Sequence, residues 1–210
     1  MTAEGKKLRL GILLSGGGRT MVNLAECIRR GDLAAKIAVV ISSRGEAAGV
    51  DRARELGLEP HIVRVKDYPD VQAFSGRIVE SLDAAGVDLT VQCGWLCFWK
   101  LPGCYENRVM NIHPALLPAF AGKGMWGHHV HEAVLRAGCK VSGCTVHFVT
   151  NQYDAGPIIV QRTCPVLDED DAESLAARVF AEECRAYPQA IQWCAEGRLT
   201  VRGGRVFVRP

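Results

Sequence analysis

Leu8-Arg9-Leu10-Gly11-Ile12-Leu13-Leu14, followed at once by Ser15-Gly16-Gly17-Gly18-Arg19-Thr20, decides the architecture of this 210-residue chain. Apart from Arg9, the first seven residues carry no charge and are mostly branched aliphatics, which reads as a strand covered on both faces. Three glycines then break the strand, and helical spacing resumes to about residue 30. Further strands are expected over residues 36–42, 60–65 and 88–93, alternating with helices near 48–56 and 72–85. Strands that alternate with helices in this way wind into βαβ units around a parallel sheet. The fold class is therefore α/β, Rossmann-like in its N-terminal half with a mostly parallel sheet.

Past Asn111 the rhythm changes. A Gly- and Pro-rich loop over 114–127 leads to a helix at 129–136, and residues 140–150 and 156–165 alternate like strands of a mixed or antiparallel extension. A long C-terminal helix is expected over 172–196, then a closing hairpin over 199–208 that turns at Gly203-Gly204. No linker, repeat or low-complexity tract interrupts the pattern, so residues 1–210 are expected to form a single domain.

Apolar residues make up 48% and charged residues 23%, as in ordinary globular proteins. A net charge of +2 gives no basic field that calls for nucleic acid. No apolar run is long enough to span a membrane, and the polar start from Met1 to Arg9 has no signal-peptide core, so a cytoplasmic location is expected. The nine cysteines are odd in number and include no Cys-x-x-Cys pair; Cys93 and Cys97 are four apart, Cys139 and Cys144 five. Neither spacing suits a structural zinc site, and most are read as small buried hydrophobes.

The glycine loop between the first strand and first helix is where backbone N–H groups and the helix dipole favour an anion. A dinucleotide fits it poorly. Met21 stands where the third glycine of G-x-G-x-x-G belongs, and the second strand runs into Ser42-Ser43-Arg44 with no acid. No Walker motif is present either. A phosphate monoester suits the loop best, with a ligand-free turn the bland alternative.

Asn111-Ile112-His113-Pro114 and Asp154-Ala155-Gly156-Pro157 carry the chemistry. Two residues apart in a strand, an amide and an imidazole project to the same side. A carboxylate just before a Gly-Pro turn can be aimed inward. Together the three can stabilise an oxyanion and move a proton in acyl transfer, with no Ser or Cys nucleophile if the substrate brings an amine. Each residue alone has a plainer reading, as a turn bond, a core histidine or a turn cap. His128, His129 and His131 invite a metal, yet no distant partner has ligand spacing, so no metal is expected.

With Asn-Ile-His-Pro-x-Leu-Leu-Pro at 111–118, Thr-Val-His-Phe-Val at 145–149 and Asp-x-Gly-Pro at 154–157, the chain resembles the folate-dependent formyltransferases over essentially its whole length. The glycine loop and compact length resemble the glycinamide ribonucleotide branch. The resemblance implies transfer of the formyl group of 10-formyltetrahydrofolate, as co-substrate and without a metal, to the amine of 5'-phosphoribosylglycinamide in purine biosynthesis. It implies that Asn111 and a protonated His113 donate to the tetrahedral oxyanion, while Asp154 sits beside His113 and helps move the amine proton through water. His147 would position the site, a core histidine being the competing reading. Gly18, Arg19 and Thr20 would meet the phosphate and Glu183 the ribose, although Glu182 is adjacent. Leu96, Cys97, Phe98, Trp99, Thr150 and Asp154 would line the folate side, where Cys97 departs from the basic residue that relatives often carry. At least one of Trp95, Phe98 and Trp99 is expected to face the folate, and Lys123 in the loop over 122–127 could meet substrate.

The partners implied are these small molecules, with no nucleic acid and no membrane, and a homodimer is an allowed assembly. Rival readings are a formyltransferase for another amine, whose relatives usually carry C-terminal domains, a 10-formyltetrahydrofolate hydrolase, which usually carries an N-terminal regulatory domain, and a binding module without activity.

Overall fold

The computed structural model describes residues 7–210, so most of the polar start read above lies outside the described residues. The chain forms two compact units: one of residues up to Lys100 with Ile191–Gly197, the other Leu101–Ala190 with Arg198–Pro210. No helix among the described residues is long and apolar enough to cross a membrane.

In the first unit, β1 (Leu8–Leu14), β2 (Ala35–Ser42), β3 (His61–Ile62) and β4 (Leu89–Gln92) are hydrogen-bonded side by side in the order β3-β2-β1-β4, all parallel. Leu10, Ile12, Leu13 and Leu14 have no solvent exposure, as a strand covered on both faces requires. Burial of each such side chain contributes about 1.5–3 kcal/mol. Helices α1 (Arg19–Arg30), α2 (Ala48–Glu55) and α3 (Val71–Ala84) connect the strands. Gly11 leaves room for α3 against β1, because a Cβ there would overlap the Leu82 side chain of α3. Met21, in place of a dinucleotide-type glycine, is fully buried and ties α1 to the core. The third strand is shorter than expected. After Ile62 the chain turns into a 3-10 segment at Val65–Asp67, held by the Arg64 guanidinium on Asp67 at 2.7 Å and by Asp67 N–H on the Arg64 carbonyl at 3.0 Å.

In the second unit, β5 (Val109–His113), β6 (Val141–Phe148) and β7 (Ile158–Pro165) are antiparallel, with α4 (His128–Arg136) between the first two. Helix α5 (Ala172–Ala195) begins here, and Tyr187 on it donates its buried hydroxyl to the Met110 carbonyl of β5 at 2.9 Å. Strands β8 (Leu199–Arg202) and β9 (Arg205–Val208) close as a hairpin through Gly203 and Gly204, both at positive φ (54° and 74°). The α/β class, the parallel N-terminal strands, the antiparallel extension and the long helix thus follow the sequence pattern. The cysteines follow it only in part. Cys27, Cys93, Cys144 and Cys164 are buried, but Cys97, Cys139, Cys184 and Cys194 are half-buried and Cys104 is exposed. Residues next to turns and on helix flanks are not forced inward by an apolar neighbourhood in sequence.

The start of α5 rests on Asp170. Its carboxylate takes Arg178 at 2.6 and 2.9 Å, the Leu167 N–H at 2.7 Å and the Ser174 hydroxyl at 2.8 Å. Hydrogen bonding to Arg178 first, then to Leu167, holds this carboxyl well below the usual aspartate range. Its contribution is therefore complete above the unfolded value of about 3.9 and drains away as pH falls below it. Asp170→Asn is expected to lower the Tm by a few degrees at neutral pH, with the gap to the parent protein closing as pH drops below about 4. Thermal melts across acid pH check this; a gap that stays constant would take the charge out of the explanation.

Candidate active site

Strand β5 ends in Asn111 and His113, and antiparallel pairing sets Asn111 opposite His147 and His113 opposite Thr145 of β6. The pairing has a chemical consequence. His147 is 2% exposed in its side chain, and its Nδ1 lies 2.8 Å from the Phe148 carbonyl, which can only accept. Nδ1 therefore carries the proton, and Nε2 is left to accept from the Asn111 Nδ2 at 3.2 Å. Burial holds the His147 pKa below the ordinary histidine value, consistent with the neutral ring that this arrangement needs. Asn111 keeps its second amide N–H for another acceptor.

His113 is buried at 3% exposure between two acceptors. Its Nε2 donates to the Phe120 carbonyl at 2.8 Å. Its Nδ1 lies 3.7 Å from Asp154 Oδ1, and the same oxygen lies 3.8 Å from His147 Nε2. The other oxygen, Oδ2, accepts the Gly122 N–H at 2.9 Å. Phe120 (φ 54°) and Asp154 (φ 50°), which flank this imidazole, both adopt the left-handed region without being glycine. Such a conformation costs roughly 1–2 kcal/mol per residue and persists where surrounding contacts over-determine it. Here the contacts are visible. Gly156 lies so close to the Phe148 carbonyl that any Cβ would overlap it, and Phe148 N–H bonds the Pro157 carbonyl at 2.9 Å. The turn that carries Asp154 is thus pressed against the end of β6.

Two residues that the sequence reading missed hold the chain between His113 and Phe120. Thr145 Oγ1, fully buried, donates to the Ala115 carbonyl at 2.6 Å and accepts from Leu117 N–H at 3.0 Å and Gln161 Nε2 at 3.0 Å. Gln161 Nε2 also donates to the Leu117 carbonyl at 2.9 Å. Thr145 was within reach of sequence reasoning, since it precedes His147 by two residues on one strand and so shares its face. Gln161 left no such signal.

The loop before α4 is bent by Gly122, Gly124 and Gly127, all at positive φ, and leaves Trp126 49% exposed with its ring against His129. His129 pairs with Glu132 at 3.6 Å. His131 faces inward at 4% exposure; burial first, then His128 and His113, push its pKa down to about 4. Glu182 is engaged by Arg162 at 2.7 Å and Arg185 at 2.9 Å, and Glu183 next to it is also half-buried on α5. Thr150 Oγ1 sits in a turn with Gln152.

In the first unit, Gly18 opens α1 in the left-handed conformation (φ 71°), with Arg19 and Thr20 in the first turn. A Cβ on Gly18 would come within 2.7 Å of the Gly49 Cα, so only glycine fits. After β4, Leu96 (37%) and Phe98 (38%) are exposed, while Trp95 (8%) and Trp99 (2%) are buried, and the Trp95 ring stacks on Phe74 at 6.2 Å. Trp99 is therefore core, and Phe98 is the aromatic presented outward. Cys97 lines a cavity of about 310 Å³ together with Arg44, Arg64 and Lys66.

The formyl transferase family model matches residues 8–191. Phosphoribosylglycinamide formyltransferase of Haemophilus influenzae is 31% identical over 95% of this chain and 93% of its own length. The chloroplastic phosphoribosylglycinamide formyltransferase of Vigna unguiculata is 36% identical over 94% of this chain, which spans 64% of that relative. The crystal structure of glycinamide ribonucleotide transformylase 1 from Symbiobacterium toebii superposes with a TM-score of 0.92 at 42% identity, covering 98% of this chain and 96% of that one. An amide, a buried imidazole and a carboxylate gathered at one strand end, in a chain this similar throughout, leave one conclusion: the chain belongs to the formyl transferase family, among its phosphoribosylglycinamide formyltransferases.

Proposed function

We propose that this protein transfers the formyl group of 10-formyltetrahydrofolate to the amine of 5'-phosphoribosylglycinamide, and that residues 1–210 work as one formyltransferase domain. The observation that carries the reading is the pair of donors left over in the second unit. His147 takes one amide N–H of Asn111, and Phe120 takes His113 Nε2, so Asn111 Nδ2 and His113 Nδ1 each retain one polar group for substrate. The substrate amine attacks the formyl carbon, a C–N bond forms, and the carbonyl oxygen becomes an oxyanion. Asn111 and the protonated Nδ1 of His113 donate to that oxygen. Asp154 Oδ1, beside Nδ1, orients the imidazole and guides the amine proton through water to the folate nitrogen as its bond to the formyl carbon breaks. Tetrahydrofolate and the formylated amide leave. His147 acts on Asn111 rather than on substrate.

Gly18, Arg19 and Thr20 are assigned to the phosphate, supported by the glycine-only geometry of the loop at a helix N-terminus. The ribose is assigned to Glu183, the half-buried carboxylate of α5 that the family resemblance points to. Leu96, Cys97, Phe98 and Thr150 are assigned to the folate, with Trp99 supporting them from the core. Cys97 stands where the resembled family often has a basic residue, and Arg44 and Lys66 around the same cavity supply cations for the folate carboxylates, Arg64 being paired with Asp67 and Glu46 also lining the cavity.

Purified protein incubated with 10-formyltetrahydrofolate should release tetrahydrofolate only when 5'-phosphoribosylglycinamide is present. Release without the amine would point to a hydrolase, and no release in either mixture would sink the reading. Asp154→Asn should lower kcat by about 10²–10⁴ while ribonucleotide binding stays within a few fold; collapse of the circular dichroism spectrum would instead make Asp154 structural. Asn111→Ala should cost about 10²–10³ in kcat. Because His147 works through Asn111, adding His147→Ala to that variant should cost little more, a non-additivity readable in a double-mutant cycle. Fully additive losses would mean that His147 has its own role.

A further inference from the structure

We propose that Arg52 is a positioning residue for the substrate phosphate: anchored on α2, it holds the Gly17 carbonyl of the glycine loop and leaves the loop's N–H groups to the anion. The proposal rests on the phosphate assignment above and adds a residue from outside the loop. A glycine loop binds an anion only if its N–H groups, not its carbonyls, face the ligand. Here both carbonyls in question are accounted for. The Gly16 carbonyl accepts the Gly49 N–H at 3.0 Å, and the Gly17 carbonyl accepts Nη1 of Arg52. Both donors come from α2, and α2 can approach this closely because Gly18 and Gly49 meet with no side chains between them.

Each carbonyl shares its peptide unit with the N–H of the following residue. A donor on the Gly16 oxygen therefore polarises the Gly17 N–H, and the Arg52 guanidinium on the Gly17 oxygen polarises the Gly18 N–H. A charged donor does this more strongly than a neutral one. Arg52 is half-buried and lies against Gly17, where a Cβ would be 3.3 Å from Nη1, so a side chain at 17 would press on the guanidinium. Helix α1 begins with no side-chain cap and no acidic residue in its first turn. Arginine suits the role better than lysine because its fork keeps its direction when one N–H is engaged.

Arg52→Met and Arg52→Lys test this, with folding checked by circular dichroism. For Arg52→Met, KM for 5'-phosphoribosylglycinamide should rise about tenfold, the low end for loss of a charged hydrogen bond, with kcat within twofold. KM for 10-formyltetrahydrofolate should not move, and kcat/KM for the dephosphorylated riboside should match the parent protein. Arg52→Lys should recover part of the loss, and it carries the comparison if Arg52→Met does not fold. Equal losses on the ribonucleotide and the riboside, or no loss on either, would overturn the proposal. Calorimetric titration with ribose 5-phosphate reads the same effect without turnover. Tenfold weaker binding by the variant upholds the role of Arg52 even if no formyl transfer is found, in which case the reading of the reaction falls alone. Parent protein that does not bind ribose 5-phosphate overturns it.

Discussion

His113 is buried between a carbonyl oxygen and a carboxylate, and the surrounding chain is shaped by keeping it there. One ring nitrogen donates to Phe120 O at 2.8 Å, and the other faces Asp154 at 3.7 Å. Both flanking residues sit in the left-handed backbone region at a cost that a simple loop would relieve by relaxing. They are held because Thr145 and Gln161 fasten the chain leading to Phe120, and because the backbone contact at Gly156 fixes the turn of Asp154. The imidazole thus has one nitrogen committed to a carbonyl and one that faces the carboxylate.

The same division of labour recurs at Asn111. His147 spends one nitrogen on the Phe148 carbonyl and the other on the Asn111 amide, so the direction of that amide is set from behind. The antiparallel register sets the two residues opposite each other, so the acceptor for this amide is held in place by the strand. In the glycine loop, carbonyls are tied back so that N–H groups remain. In all three places a group becomes useful because its alternative partner has been removed.

Much of this was legible from the chain. The apolar strand at Leu8–Leu14, the glycine break, the helical and strand periodicities and the Gly203-Gly204 turn gave the elements, because periodicity reports burial directly. Asn111, His113 and Asp154 were identifiable from residue chemistry and motif. The short β3 was not, since its end depends on an Arg64–Asp67 contact rather than on hydropathy. Trp99 could not be separated from Phe98, because neighbouring aromatics in a loop have no period to tell inside from outside. Thr145 and Gln161 act through bonds to residues 28 and 44 positions away, and no local pattern encodes those.

The sequence alone determined the α/β class through its periodicity, and the family through the motifs at 111–118, 145–149 and 154–157. It also singled out Asn111, His113 and Asp154 as the side chains proposed to act on substrate. The tertiary structure decided which nitrogen of each histidine is engaged, that Glu182 is paired with two arginines, and which oxygens the glycine loop hides. Those depend on which donor lies within about 3 Å of which acceptor, a distance that only chain segments brought together by folding can set.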